Sequence, residues 1–220
     1  MIPSPLVPSV VFRVGPIPIT LPVVTTWAIM ALLTLGARLA TGRLKVHPDL
    51  PQTALEAVIG AIAAQIGEVM RRDSGPYLPL LATLFIYLCV ANLSGVVPGV
   101  HAPTASLETP AALATIVFFA VHYFGVRCRG FLGYLASFAQ PRLIMLPLNI
   151  VSALTRTFSL MVRLFGNIMS GEFLIALVVA LAGLLIPVPL MALEILVAIV
   201  QAYIFTVLAA VFIGAAVGGD

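Results

Sequence analysis

The sequence predicts an all-α, polytopic integral membrane protein, and three observations carry that expectation. Of 220 residues, 61% are hydrophobic and only 9% are charged, against about 25% charged in an ordinary soluble domain. Mean hydropathy is +1.17. The apolar residues come in runs of about 20, the length of a membrane-crossing helix. Lipid offers no hydrogen bonds, so every backbone group must be paired within the chain, and runs of this length satisfy that as helices rather than as a barrel.

Taken in order, the chain reads as a single membrane domain over 1–220. Residues 1–20 hold five prolines and one basic residue, Arg13. No basic stretch precedes a short apolar one there, so a cleavable signal is not expected. Residues 22–40 form the first span. Residues 52–72 differ. Leu55, Val58, Ile59, Ile62, Ile66 and Val69 recur every three or four positions, with Gln52, Glu56, Gln65, Glu68 and Arg72 on another side. That pattern describes an amphipathic helix on the membrane surface. Residues 77–97 and 109–126 form a hairpin of two spans around a small polar turn, 101–108. The apolar stretch 143–186 would measure roughly 65 Å as one helix, about twice the hydrocarbon thickness, so it must tilt, break or bend. Pro187 and Pro189 end it, and 190–217 is the last span. The sum is about five membrane-embedded helices, one surface helix and a long tilted C-terminal hairpin.

The formal net charge is +3, and its distribution speaks of membrane orientation rather than of nucleic acid. Arg38, Arg43, Lys45, Arg71 and Arg72 lie between spans one and two; Arg127, Arg129 and Arg142 follow span three. The positive-inside rule puts both groups in the cytoplasm, the N-terminus and the 101–108 turn outside, and the C-terminus in the cytoplasm. Cys89 and Cys128 are expected to be unpaired thiols.

Four charges break the apolar pattern: Arg156, Arg163, Glu172 and Glu194. A charge at the bilayer centre costs at least about 2.5–3.5 kcal/mol, so such residues face a bundle interior, a water-filled cavity or a partner. Snorkelling or a structural ion pair is the plain alternative, and it suits Arg156 better than Arg163. In an antiparallel hairpin, residues sharing a sequence midpoint lie level. Arg163 with Gln201 centre on 182, and Glu172 with Glu194 on 183. The hairpin should therefore carry a cation–amide layer and, about 13 Å away, a carboxylate layer. Asn167, one turn from Arg163, shares its face. Arginine keeps its proton at any working pH and can serve only as a fixed counter-charge. Two neighbouring glutamates can take up and release ions or protons.

Ser159-Leu160-Met161-Val162-Arg163-Leu164-Phe165-Gly166-Asn167-Ile168-Met169-Ser170-Gly171-Glu172 closely resembles the signature segment of F-type ATP synthase subunit a, the ion-channel subunit of the F0 sector. Gln201-Ala202-Tyr203-Ile204-Phe205-Thr206-Val207-Leu208 resembles that family's last-helix motif. Pro147-Leu148-Asn149 and the turn from Pro103 to Leu107 add to the likeness, which covers roughly residues 52–217. The resemblance implies an ion-translocating, non-catalytic stator subunit working against a rotating c-ring. Arg163 would attract a ring carboxylate and block leakage between two offset half-channels, supported by Gln201. Glu172 and Glu194 would line the outer half-channel, and Asn167 the ring-facing site. Glu108, Arg156, His122 and Ser159 are accessory candidates. Two departures stand out: many family members have histidine at the position of Glu194, and asparagine is common at that of Glu108.

The implied partners are the c-ring, the subunit b peripheral stalk, the remaining F0F1 subunits and membrane lipid. No nucleic acid, cofactor or metal is expected. The implied location is a bacterial inner membrane. Protons are the expected coupling ion, with sodium as the alternative. A stand-alone secondary transporter would show repeated halves with broken helices, and none is visible. An intramembrane hydrolase would need a Gly-x-Ser elbow, a His-Glu-x-x-His pair or an Asp dyad, and none occurs within the spans.

Overall fold

The computed structural model describes residues 10–14, 17–42, 50–97, 100–138, 145–183 and 186–218. Arg43, Lys45 and Arg142, counted above among the orienting charges, lie outside the described residues. Within them the chain is helical apart from one small hairpin at the start. Strands β1 (Val10–Val14) and β2 (Ile17–Thr20) pair antiparallel. That hairpin was not foreseen: five prolines in twenty residues hid a short run of β-branched and aromatic residues.

Seven α-helices follow: α1 (Leu21–Thr41), α2 (Leu50–Met70), α3 (Leu78–Ser94), α4 (Glu108–Arg129), α5 (Phe131–Phe138), α6 (Met145–Ala182) and α7 (Val188–Val217). A single 3-10 turn, Pro103–Ala105, sits between α3 and α4. Prolines open α1, α3 and α7 at the first helical positions, where a missing N–H costs nothing. Gly130 and Gly218 close α4 and α7 at φ 74 and 84, a left-handed conformation that side chains resist.

Four helices, α1, α4, α6 and α7, are long and apolar enough to cross a membrane, and α3 is a shorter apolar one. The molecule is an all-α polytopic membrane protein. Helix α6 runs unbroken for 38 residues, about 57 Å of rise. Its excess over a hydrocarbon core of about 30 Å is therefore taken up by tilt or gentle curvature, not by a break.

The core forms where α7 meets α3 and α4. Ala198, Ala202, Ala209, Ala210 and Gly214 make the inner face of α7 small, which lets helix backbones approach closely without a hydrophobic drive between them. Leu81 and Leu88 of α3, Val117 of α4 and Phe205 and Ile213 of α7 fill the space between. Only one stripe of α6 is buried: Leu160, Leu164 and Ile168, four residues apart. Its opposite side, with Val151, Leu154, Phe158 and Val162, is open. Helix α2 buries Ile66 and Met70, the latter against Gly214, and leaves Glu56 and Glu68 exposed.

Polar contacts fix the two ends of this bundle. At one end, Arg129 Nε donates to the Val217 carbonyl at 3.3 Å, and Arg72 donates to the Gly218 carbonyl. Basic residues from two separate connections thus satisfy the last carbonyls of α7. At the other end, Thr104 Oγ1 donates to Asn92 Oδ1 at 2.9 Å, and Asn92 Nδ2 donates to the Ala198 carbonyl at 3.2 Å. All three residues are buried, so this chain of bonds sets the turn Pro103–Ala105 against α3 and α7.

Removing Asn92 would leave the Thr104 hydroxyl buried without its acceptor. Asn92→Ala is expected to lower stability by about 1–2 kcal/mol, read as an earlier thermal-aggregation midpoint of the purified complex. Thr83→Ala, which loses only exposed bonds within its own helix, should leave that midpoint unchanged.

Candidate ion-translocation site

Helices α6 and α7 run antiparallel through the short connection at Pro187, and their facing sides hold the unusual charges. Glu194 on α7 lies directly over Gly171 of α6; a Cβ built at Gly171 would strike its carboxylate. Glu172 is the next residue. The carboxylate layer expected from the sequence midpoints is therefore assembled, and glycine is what admits it.

The second layer differs from expectation. Gln201 does not meet Arg163. Its Oε1 accepts a hydrogen bond from Asn167 Nδ2 at 2.7 Å. Side chains on a helix lean toward its N-terminus. On α7 that direction points toward the connection, so Gln201 reaches one turn further along α6 than its Cα level suggests. Gln201 is 2% exposed, and its Nε2 has no hydrogen-bond partner among the described residues.

Arg163 itself is exposed and makes no hydrogen bond or ion pair among the described residues. It lies about a quarter-turn round α6 from the buried Leu164. Toward the N-terminus of α6 a polar ladder runs on from it: Asn149, Ser152, Arg156, Ser159 and Arg163, spaced three, four, three and four. That spacing keeps them on one face. They line an open cleft of about 590 Å³, closed on the α7 side by Leu208 and Phe212. Arg156 lies with its guanidinium carbon 5.5 Å from the centre of the Phe212 ring. Ser159 and Arg156 thus stand beside Arg163 on one wall. Ser152 was not singled out from the sequence, although the same three-and-four spacing points to it.

A second cavity of about 270 Å³ lies behind Arg156, lined in part by His122, Arg129, Tyr134 and Thr157. His122 Nδ1 is 2.7 Å from the Phe118 carbonyl, and its ring lies 4.2 Å from that of Phe118, tilted by 46°. His122 and Arg156 are therefore brought together, far along α6 from the carboxylates. Glu108 goes elsewhere: it accepts a 2.6 Å hydrogen bond from Thr20 Oγ1 and ties the start of α4 to the end of β2.

The Glu172 carboxylate is held by the turn before α4. Its Oε1 accepts the Ala102 N–H at 2.8 Å, and its Oε2 is 3.6 Å from His101 Nδ1. Sequence reasoning missed His101, because its position in a polar turn gives no hint of the helix it faces.

The arrangement along α6 is then a cleft of hydroxyl, amide and Arg156 guanidinium groups, a cation with no partner among the described residues, an amide pair one turn on, and two carboxylates beyond. Gly171→Leu is expected to push Glu194 off α6 and part the hairpin, seen as a severalfold drop in chain recovered from membranes. Gly60→Ala, where an added Cβ meets nothing within 4 Å, should be recovered at the normal level.

A profile of the family described as ATP synthase A chain matches residues 23–214. The chain is 69% identical over 215 residues to ATP synthase subunit a 2 of Bradyrhizobium sp. (strain BTAi1), covering 98% of this chain and 96% of that one. It is 46% identical over 206 residues to ATP synthase subunit a 2 of Pelobacter propionicus, covering 94% and 90%. The corresponding protein of Picosynechococcus sp. is 49% identical over 195 residues, covering 88% and 84%. Matched over nearly its whole length and built of helices able to cross a bilayer, the chain belongs to the ATP synthase A chain family.

Proposed function

We propose that this chain is the ion-translocating stator subunit of an F0 sector. It would form two offset half-channels against a rotating ring of c subunits and couple ion flow to ATP synthesis or hydrolysis. The observation that carries this reading is the place of Arg163. It is a permanent cation on an open face of α6, with no acid beside it among the described residues, and it stands between the cleft of Asn149, Ser152 and Ser159 and the carboxylates Glu172 and Glu194.

The mechanism follows from charge. A guanidinium cannot shuttle protons, because its own proton is never released. In a low-dielectric setting it attracts any carboxylate brought opposite it. A ring carboxylate arriving there gives up its ion to face Arg163, and takes one up on leaving it. Glu172 and Glu194 serve as the outer half-channel, delivering cations to the ring. The cleft along Asn149, Ser152 and Ser159 serves as the cytoplasmic half-channel. Arg163 repels a cation attempting to pass straight from one to the other. The exposed Asn167 amide lies beside this row, held by Gln201, and supplies a donor to the ring carboxylate. Each charge carried across is worth about 2.3 kcal/mol per 100 mV.

In this reading the N-terminus lies outside and the C-terminus in the cytoplasm of a bacterial inner membrane. Arg72 and Arg129, both at the C-terminal end of α7, then share the cytoplasmic face. Stalk subunit b and the F1 subunits are the remaining partners. A proton is the ion a pair of carboxylates on this path serves most directly.

ATP-driven uptake into inverted vesicles containing the whole complex tests the proposal, with protons and sodium recorded separately at several sodium concentrations. Arg163→Ala is expected to cut coupled uptake by roughly tenfold or more, equivalent to at least about 1.4 kcal/mol. Uptake at the wild-type rate in that variant would falsify the reading. Accumulation of sodium rather than protons would keep the motor and replace the ion.

A further inference from the structure

One turn faces both oxygens of the Glu172 carboxylate. Ala102 gives its N–H to Oε1 at 2.8 Å, and His101, the residue before it, places Nδ1 3.6 Å from Oε2. Gly95 closes a third side: a Cβ there would lie 3.0 Å from Oε1 and 2.9 Å from the Ala102 Cβ. The turn is itself anchored by the buried bonds from Thr104 to Asn92 and from Asn92 to the Ala198 carbonyl. The two members of the pair differ in access. The His101 side chain is 73% exposed and that of Glu172 is 24% exposed. The imidazole thus connects the water outside the bundle to a largely covered carboxylate, with Glu194 beside that carboxylate on the next helix.

We propose that His101 is a positioning residue and a charge gate at the outer mouth of the ion path. Protonated, it pairs with Glu172 and cancels the negative charge that an entering cation meets; neutral, it leaves that charge available. The inference rests on the assignment of Glu172 and Glu194 to the outer half-channel.

Histidine is the side chain whose charge ordinarily changes between pH 5 and 8. From α6 it is faced by Glu172. From α7 comes Glu194, lying over Gly171 next to Glu172. The start of α4 brings Glu108, which is bonded to Thr20. Helix α1 carries no charged residue before Arg38, and α3 carries none at all. A cationic His101 therefore has the Glu172 carboxylate beside it, and the arginines of these elements, Arg38 on α1, Arg127 and Arg129 on α4 and Arg156 and Arg163 on α6, lie at least about two helical turns along their helices from the groups named. Because the gate acts through charge, it applies equally to a proton and to sodium.

The test is ATP synthesis by inverted vesicles holding the whole complex, driven by a potassium–valinomycin potential at fixed outside pH. The luminal pH is preset at steps between about 5 and 8, and rates are normalised to bound ATPase. A unit-charge pair about 4 Å apart in water is worth a factor of about five. The ratio of His101→Gln to wild type should therefore rise about fivefold as the lumen is acidified from pH 8 to 5. His101→Lys should match wild type at the acid end and fall to about one fifth of it at the alkaline end. Glu172→Gln should lose synthesis at every pH. Profiles of both His101 variants that superimpose on wild type, with Glu172→Gln inactive, would overturn the gate and leave the outer half-channel standing. Normal synthesis by Glu172→Gln would overturn both.

Discussion

An arginine cannot shed its proton and a bilayer cannot solvate it, so Arg163 constrains everything built around it. A guanidinium on an apolar helix, exposed and without an acid beside it among the described residues, is an unstable proposition for a protein facing only lipid. It becomes tenable when the open face of α6 meets a partner that brings negative charge. The buried Gln201 Nε2 poses the same demand in milder form, since an unmet buried donor costs about 1–3 kcal/mol. The exposed cation, in a chain belonging to the ATP synthase A chain family, is what the proposed ring of carboxylates would answer.

The rest of the fold holds that row at a fixed height. Helix α7 is pinned by side chains from elsewhere at its C-terminal end and again along its length: Arg72 and Arg129 at its last carbonyls, Asn92 at Ala198. Its small inner face lets it sit close to α3 and α4. Helix α6 is buried on one narrow stripe, Leu160, Leu164 and Ile168, and keeps its opposite side, with Val151, Leu154, Phe158 and Val162, open. Glycine at 171 lets a carboxylate from α7 lie against the α6 backbone. The hairpin is packed on one side and presents charge on the other.

Much of this was legible in the residues. Runs of apolar residues gave the long helices, because period and length are local properties. The shared midpoints placed Glu194 beside Glu172 to within a residue, because helix rise is nearly constant. What the sequence could not give was side-chain reach: Gln201 leans toward the connection and meets Asn167, not Arg163. It also could not give contacts made across distant elements. His101 and Glu172 are 71 positions apart in number and belong to a turn and a helix whose meeting depends on Asn92 and Thr104. Glu108 was read as an accessory candidate, and its bond to Thr20 depends on a hairpin hidden among prolines.

The central claim is that Arg163 divides two water-filled regions opening on opposite faces of the membrane. Single cysteines at Ser152, Ser159, Glu172 and Glu194, in a complex whose own Cys89 and Cys128 are replaced by serine, test it most directly. Each is exposed to a charged, membrane-impermeant thiol reagent from one face at a time. The account expects positions 152 and 159 to react from the cytoplasmic face, and positions 172 and 194 to react from the outer face. Reaction of all four from the same face would show one continuous pathway past Arg163 and contradict the account.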